Sequence, residues 1–439
     1  MYNYFFFLIL DFPYPTDIVE NIRLLYRRLE QRILPVPWCE DFSFHINDIF
    51  TRLKIVGKEK TRGALTDVIT NMTAIFKTNA ECQRPRTVLI EGDPGVGKTT
   101  YCQKLAYDWA TKQGDWDPSF PEIEVLLLLK GHEIKSDIWK AIDDQVLPVD
   151  IDDQARESFF KFIRENQSKV LLVLDGLDEV YTAYKEPRDL VEGKVLPACH
   201  VVFTARGVKF RRYCDSVWEI VGFTDIDAER FIRAYFKNRK HLAENLIKKV
   251  WDSESVDFHN LITNPSHAAF LCVICEDLEG VFPNKTHLYI DIVNCVLRRY
   301  EHKQGLSSEN ENLLTSYKGD LLHLGRVALQ SLQKGELYFE EHRFDTSLFF
   351  LSKFGFLSIH PGRSKRMDTL RYGFLHKGFQ EFFSGLYLAW QIIDGNVDCD
   401  AVVTDQRYWN ELNQVRIFMT ELLALETREF PETVAKGKA

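Results

Sequence analysis

The sequence predicts an α/β fold, a parallel sheet with helices on its faces, followed by a mainly helical C-terminal half that carries one small hairpin. Three observations predict it. The apolar run Val88-Leu89-Ile90-Glu91 leads into Gly92-Asp93-Pro94-Gly95-Val96-Gly97-Lys98-Thr99-Thr100, and a helical pattern with Tyr101, Leu105 and Trp109 on one face follows. Further apolar runs alternate with helical stretches as far as Val221, the rhythm of strand–helix–strand crossovers. Beyond Thr224 strands nearly vanish.

The loop after Glu91 has the pattern Gly-x-x-x-x-Gly-Lys-Thr, and its chemistry explains the order strand, loop, helix. A loop at a helix start aims successive backbone N–H groups at an anion, and the helix dipole adds partial positive charge. Gly92, Gly95 and Gly97 let the backbone turn and approach a phosphate. Lys98 is placed to reach the β- and γ-phosphates, and Thr99 to hold Mg²⁺.

In chain order, Asp17 with Glu20 makes a capping signal. Ile18, Ile22, Leu25, Leu29 and Ile33 then recur at helical spacing up to the stop Leu34-Pro35-Val36-Pro37. Phe44 to Val56 alternates, and a helical pattern from Ala64 to Phe76 leads to Arg84-Pro85-Arg86 and the phosphate loop. Glu122 to Lys130 is a continuous apolar run of the kind buried on both faces of a parallel sheet. Helical segments around Ile138–Leu147 and Ala155–Ile163 precede a strand over Lys169–Asp175, which ends in Gly176-Leu177-Asp178-Glu179. His200 to Arg206 and Val217 to Val221 supply two more strands. Helices then read over Asp225–Phe236, His241–Trp251, Pro265–Leu278 and His287–Glu301, with another marked by Leu321, Leu324, Ala328 and Leu332. Between Thr346 and Tyr372 come a short helix, the strand Phe354–His360, a Pro361-Gly362 turn and a returning strand. A helix with Leu375, Phe379, Phe382, Phe383 and Leu386 inward follows, which suggests a winged helix. A last helix carries Leu412, Val415, Phe418, Leu422 and Leu425. No repeat of twenty to fifty residues is present, which excludes a solenoid.

The 439 residues suffice for several domains, and 45% hydrophobic content with 13% aromatics fills real cores. A formal charge of −9 argues against a nucleic-acid partner. The clusters Lys54/Lys58/Lys60/Arg62 and Lys237/Arg239/Lys240 read as solvated faces. Nine scattered cysteines fit a reducing compartment, and Cys272-Val-Ile-Cys275, inside an apolar run, reads as core. The run Tyr4–Leu10 lacks a basic leader and is too short to span a bilayer, so the expectation is a cytoplasmic protein with no transmembrane segment.

Asp175, at the end of a buried strand, supplies the second half of a Mg²⁺–nucleotide site, because a hard cation on phosphates takes one or two carboxylates and keeps its waters. Asp178 and Glu179 are candidates to orient or deprotonate an attacking water. Arg206 is placed to sense the γ-phosphate.

Leu171-Leu-Val-Leu-Asp-Gly-Leu-Asp-Glu179 resembles the extended Walker B of NACHT domains. Gly92–Thr100 resembles their Walker A, Val202–Arg206 their sensor-one strand, Asn264-Pro265 their first helical domain's proline, and Phe374–Phe383 their winged-helix histidine segment. Gly207 stands where a proline is common, and the Gly that often precedes Pro265 is absent. The resemblance implies a P-loop NTPase of the AAA+/ASCE-like kind within the NOD-like receptor (NLR) or STAND group. Such a switch rests with ADP, exchanges to ATP and then oligomerises, binding protein signalling partners in innate-immune-like or cell-death pathways. It implies ATP/ADP and Mg²⁺ as cofactors, with Pro265 and His376 added to Gly92–Thr100 as nucleotide contacts, Thr99 and Asp175 on the metal, and slow hydrolysis through Asp178, Glu179 and Arg206. The implied domains are an N-terminal helical segment (1–43), the NACHT nucleotide-binding domain (44–223), a first helical domain (224–283), a winged helix (284–393) and the start of a truncated second helical domain (394–439). No death-fold domain or leucine-rich repeat is recognisable. Rival readings are an AAA+-like turnover ATPase remodelling a client, a nucleic-acid ATPase and a small-molecule kinase. The acidic balance disfavours the second, and the missing acceptor and lid motifs disfavour the third.

Overall fold

A computed structural model describes residues 15–34, 43–51, 53–58, 65–69, 71–134, 136–177, 186–205, 210–252, 261–277, 285–306, 313–336, 339–340, 351–361, 370–375 and 377–429. Tyr4–Leu10, the Pro35–Pro37 stop, Lys60, Arg62, the segment 346–350 and Gly362 of the expected turn lie outside them. The first half begins with α1 (Thr16–Leu29), an antiparallel pair of two-residue strands, β1 (Arg32–Ile33) and β2 (Phe44–His45), and the single turn α2 (Ile46–Ile49). It continues through β3 (Lys54–Lys58), β4 (Leu65–Ile69), β5 (Thr87–Glu91), α3 (Lys98–Thr111) and β6 (Val125–Lys130). Then come α4 (Ile138–Gln145), α5 (Asp153–Glu165), β7 (Val170–Asp175), α6 (Glu186–Val191), β8 (His200–Ala205) and β9 (Ser216–Gly222).

Seven strands form one sheet in the order β4-β3-β9-β5-β8-β7-β6. The five from β9 to β6 run parallel, and β3 and β4 add an antiparallel edge. Continuous apolar runs explain the parallel part: Val125–Leu129 and Val170–Leu174 are buried at every position, as strands covered on both faces require. The antiparallel edge corrects the sequence reading. The expected helix over Ala64–Phe76 is instead β4 followed by a 3₁₀ turn at Ala74–Phe76. The alternation expected from Phe44 is interrupted by α2 and resumes only at β3. Leu65, Val68, Ile69, Met72 and Phe76 do recur at helical spacing, but Thr66, Val68 and Ile69 are β-branched and β3 offers an open ladder, so pairing overrides the local period.

The start of α1 is also corrected: the helix begins at Thr16 after Pro15, which makes no side-chain cap, so Asp17 lies in its first turn. The helix covers the open edge of the sheet, where the Tyr26 hydroxyl accepts a 2.7 Å hydrogen bond from the Leu128 N–H of β6. Arg23 and Arg27 donate to the carbonyls of Trp109 and Ala110 at 3.0 and 2.9 Å, satisfying acceptors that the last turn of α3 leaves open.

The second half contains α7 (Asp225–Tyr235), α8 (Lys240–Asp252), α9 (Pro265–Asp277), α10 (Lys285–Lys303), α11 (Leu313–Ser316) and α12 (Lys318–Gln333). A three-stranded antiparallel sheet of β10 (Phe339–Glu340), β12 (Leu370–Phe374) and β11 (Leu357–Pro361), in that order, supplies the expected hairpin. The helices α13 (Lys377–Ile393), α14 (Cys399–Thr404) and α15 (Asn413–Glu429) follow. α13 is buried along most of its length, in a cluster where Phe382 stacks on Tyr289 at 5.6 Å and meets Phe418 edge-on at 5.4 Å. Cys272 and Cys275 are buried in α9 as core residues, and no disulfide forms among the described cysteines.

At the end of β5, Glu91 accepts a two-pronged bond from Arg211, at 2.7 Å from Nε and 2.6 Å from Nη2, with the side chains only 5% and 9% exposed. Arg211 sits in the 3₁₀ turn Arg211–Tyr213 between β8 and β9, so the pair ties that connection to the phosphate-loop strand. Removing one partner strands a buried charge, and Arg211→Met is expected to cost about 3–5 kcal/mol in chemical denaturation. The double variant Arg211→Met/Glu91→Leu is expected to recover most of that loss.

Candidate functional site

β5 delivers the chain to the loop, and α3 receives it with Gly97 as its left-handed N-cap at φ 102°. Gly95 is also left-handed, at φ 81°. Lys98 folds over its own loop and donates to the carbonyls of Gly92 at 2.5 Å and Asp93 at 3.0 Å. Burial pushes the Asp93 carboxyl above its usual range, against the opposing pull of Lys98.

Two strands away, β7 ends in Asp175, with β8 between it and β5. Thr204 of β8, fully buried, donates to Asp175 Oδ1 at 2.9 Å and accepts from the Gly176 N–H at 2.7 Å. This leaves the second carboxylate oxygen for a cation. One carboxylate, with Thr99 lining the same cavity, suits Mg²⁺, which takes few protein ligands when phosphates and waters complete its shell. Among the described residues no group of three or more His, Cys, Asp or Glu could hold a metal by itself. Glu30, just past α1, is buried, and that burial raises its carboxyl against the nearby Lys130 ammonium, with Asp175 adding repulsion.

The loop is also held from the helical half. Asn264 Nδ2 donates to the Pro94 carbonyl at 2.9 Å, and the Ser266 N–H and hydroxyl each donate to the Gly95 carbonyl at 3.1 Å. Arg299 of α10 donates in turn to Ser266 Oγ at 2.5 Å. These contacts close one cavity of about 180 Å³. Pro94, Gly95, Gly97, Lys98, Thr99, Thr100, Asp175 and Pro265, all expected from sequence, line it. Of the other expected loop residues, Gly92 makes the turn against the Ile220 carbonyl, Asp93 offers its carbonyl to Lys98, and Val96 is buried under the loop. Asp178, Glu179, Arg206 and His376 lie outside the described residues. Thr204, Arg299, Lys303 and Lys353 also line the cavity, as do Phe50, Phe223, Phe231 and Phe270. Apart from Thr204, which lies in the strand motif Val202–Arg206, none of these carried a local motif, since each reaches the site by tertiary placement.

The family model for the NACHT domain matches residues 86–239, which span the loop, the five parallel strands and the first helix beyond the sheet. The chain is 26% identical over 350 residues to Protein NLRC5 of Ictalurus punctatus, covering 69% of this chain and 19% of that protein. This chain carries a NACHT domain, in a stretch similar to NOD-like receptors. To the Nucleotide-binding oligomerization domain-containing protein 2 of Homo sapiens this NACHT protein is 26% identical over 342 residues, covering 69% of the chain and 31% of that relative. It therefore spans under a third of the length of either relative. Among solved structures it is similar to the Aeropyrum pernix ORC1 protein in complex with DNA, with 11% identity, 70% and 88% coverage and a TM-score of 0.33. Among the described residues, no helix of this NACHT protein is long and apolar enough to cross a membrane.

The junction at Gly95 has a direct test. A Cβ there meets Asn264 Oδ1 at 2.7 Å and Ser266 Oγ at 2.9 Å, while one at Gly193, also left-handed at φ 71°, meets nothing within 4 Å. Gly193→Ala is expected to cost only the backbone strain, about 1–2 kcal/mol in thermal denaturation, and Gly95→Ala clearly more.

Proposed function

We propose that this chain is the nucleotide-operated core of an NLR-type switch. It binds Mg²⁺-ADP or Mg²⁺-ATP in the cavity at the phosphate loop and self-assembles when the nucleotide changes. In this reading Lys98 and the loop N–H groups carry the β- and γ-phosphates, with Thr99 and Asp175 on Mg²⁺. Asp178 and Glu179 orient and deprotonate water for slow hydrolysis, Arg206 senses the γ-phosphate, and Pro265 and His376 contact the nucleotide from beyond the sheet. The domain limits at residues 43, 223, 283 and 393, the winged-helix assignment, the cytoplasmic location and the protein signalling partners belong to the same proposal.

One observation carries it. The phosphate loop, Pro265 and Ser266 at the head of α9, Arg299 of α10 and the Lys353–Gly355 turn line one cavity, so a ligand there touches the sheet and the helical half together. A ligand shifts an equilibrium only through contacts that differ between its two states, and contacts across a junction differ whenever the junction opens. The cavity pairs a cationic loop with an apolar wall that includes Phe50, Phe223 and Phe270, which fits a phosphate tail joined to a planar base.

Thermal denaturation with added Mg²⁺-ADP tests the reading. At a hundred times its dissociation constant, ADP is expected to add about 2.7 kcal/mol to the parent and close to nothing to Lys98→Ala. Equal stabilisation of both proteins would reject the loop as the binding site. Glu179→Gln is expected to retain ATP binding and lose most hydrolysis, measured as phosphate release, because an amide hydrogen-bonds water without taking its proton. Parent-like hydrolysis by that variant would pass the role of base to Asp178.

A further inference from the structure

The helix α1 and the short elements after it precede the matched NACHT stretch, yet they hold the phosphate-loop helix α3 at both of its ends. At the C-terminal end of α3, Arg23 and Arg27 donate to the carbonyls of Trp109 and Ala110 at 3.0 and 2.9 Å, and the Arg23 guanidinium stands 4.2 Å from the centre of the Trp109 ring. Midway along α3 the Gln103 side chain donates to Glu30, buried just past α1. At the N-terminal end Leu53 lies against the cap, 3.3 Å from where a Cβ on Gly97 would stand. One stretch of chain thus brackets the helix.

That stretch also walls the cavity. Ile33 and Leu34, in and after β1, and Ile49, Phe50, Thr51 and Leu53, in and after α2, all line it. The register Arg32↔His45 and Ile33↔Phe44 joins β1 to β2, and the Ile46 N–H donates to the Gln31 carbonyl at 2.7 Å, so α1 and α2 are tied into one body. His45 meets the Tyr107 hydroxyl of α3 at 3.2 Å, a further fastening on the same helix. The body rests on the sheet edge through buried Ile18, Val19 and Ile22 and through Tyr26, whose hydroxyl accepts from the Leu128 N–H at 2.7 Å. Two residues along β6, the Lys130 N–H donates instead to Gln145 of α4 at 2.8 Å.

We propose that α1, β1, β2 and α2 form a strap whose docking on β6 and α3 is coupled to occupation of the cavity: a bound nucleotide holds the strap down, and lifting the strap lets the nucleotide leave. The proposal rests on the nucleotide reading of that cavity. A ligand there meets the wall of Ile33, Leu34 and Phe50 only while the strap is docked, so it favours the docked form through those contacts. The coupling is reciprocal, and couplings of this kind change affinity by about 5- to 150-fold. Lifting α1 also strips the donors from the last turn of α3, the negative end of the helix whose positive end carries Lys98 and Thr99. A pull on α1 therefore speeds nucleotide release with no contact to the phosphate loop itself.

Residue-resolved amide hydrogen exchange on the 439-residue chain, with and without Mg²⁺-ADP, tests it at two amides of β6. The Leu128 amide is released when the strap lifts, whereas the Lys130 amide, held by α4, reports general stabilisation. ADP is expected to slow Leu128 about ten-fold more than Lys130; a merely structural α1 would leave the two changing together. In the other direction, Arg23→Met/Arg27→Met is expected to speed both Leu128 exchange and the release of a fluorescent ADP analogue by about ten-fold. Tyr26→Phe, which keeps the ring edge-on to Trp109, is expected to speed release about three-fold and serves if the double variant fails its thermal melt. If the parent binds ADP but Leu128 and Lys130 slow equally, or a folded variant releases the analogue at the parent's rate, the strap is wrong and the nucleotide reading survives. If the parent binds no ADP, the nucleotide reading falls and takes the strap with it.

Discussion

Two loop carbonyls, those of Pro94 and Gly95, accept hydrogen bonds from Asn264 and Ser266, and that contact joins the sheet to the helical half. A phosphate loop is a strained object: Gly95 and Gly97 sit in left-handed conformations that few other residues tolerate, and the neighbouring carbonyls need donors. Lys98 answers for Gly92 and Asp93, while the head of α9 answers for Pro94 and Gly95. The helical half therefore completes the loop's hydrogen bonding, and the two halves are coupled at the place where an anion would bind.

The sheet brings the remaining chemistry to the same end. Parallel strands β5, β7 and β8 finish together, so the loop, Asp175 and Thr204 emerge on one rim, where open α/β sheets place their ligands. At the far edge α1 covers β6 and supplies Arg23 and Arg27 to the last carbonyls of α3, the helix whose first turn carries Lys98 and Thr99. A segment that the periodicity of Ile18, Ile22 and Leu25 marks only as an amphipathic helix thus braces the phosphate-loop helix from its C-terminal end.

Sequence carried the loop, the five parallel strands and most helices because each depends on a local period or on a motif with its own chemistry. Val170–Asp175 reads as a buried strand from its composition, and Lys98 as a phosphate ligand from its spacing. The antiparallel edge was not legible. Leu65, Val68, Ile69, Met72 and Phe76 keep a helical period that only the pairing of β4 with β3 overrides. The cations beyond the loop were equally hidden: Arg299 and Lys303 read as ordinary polar positions of a helix, and only the packing of α10 against the head of α9 brings them to the cavity. Thr204 lay within a motif, yet its hydrogen bond to Asp175 depends on β8 and β7 being neighbours.

The central claim is that nucleotide and interdomain contact act on one junction. Amide hydrogen exchange with and without Mg²⁺-ADP, read at residues 92–100, 264–268 and 296–303, addresses it directly. The account predicts that ADP slows exchange in all three segments together, with the Ser266 amide, which donates to the Gly95 carbonyl at 3.1 Å, among the sites that gain most. Protection confined to residues 92–100, with Ser266 and α10 exchanging as they do without nucleotide, would contradict it.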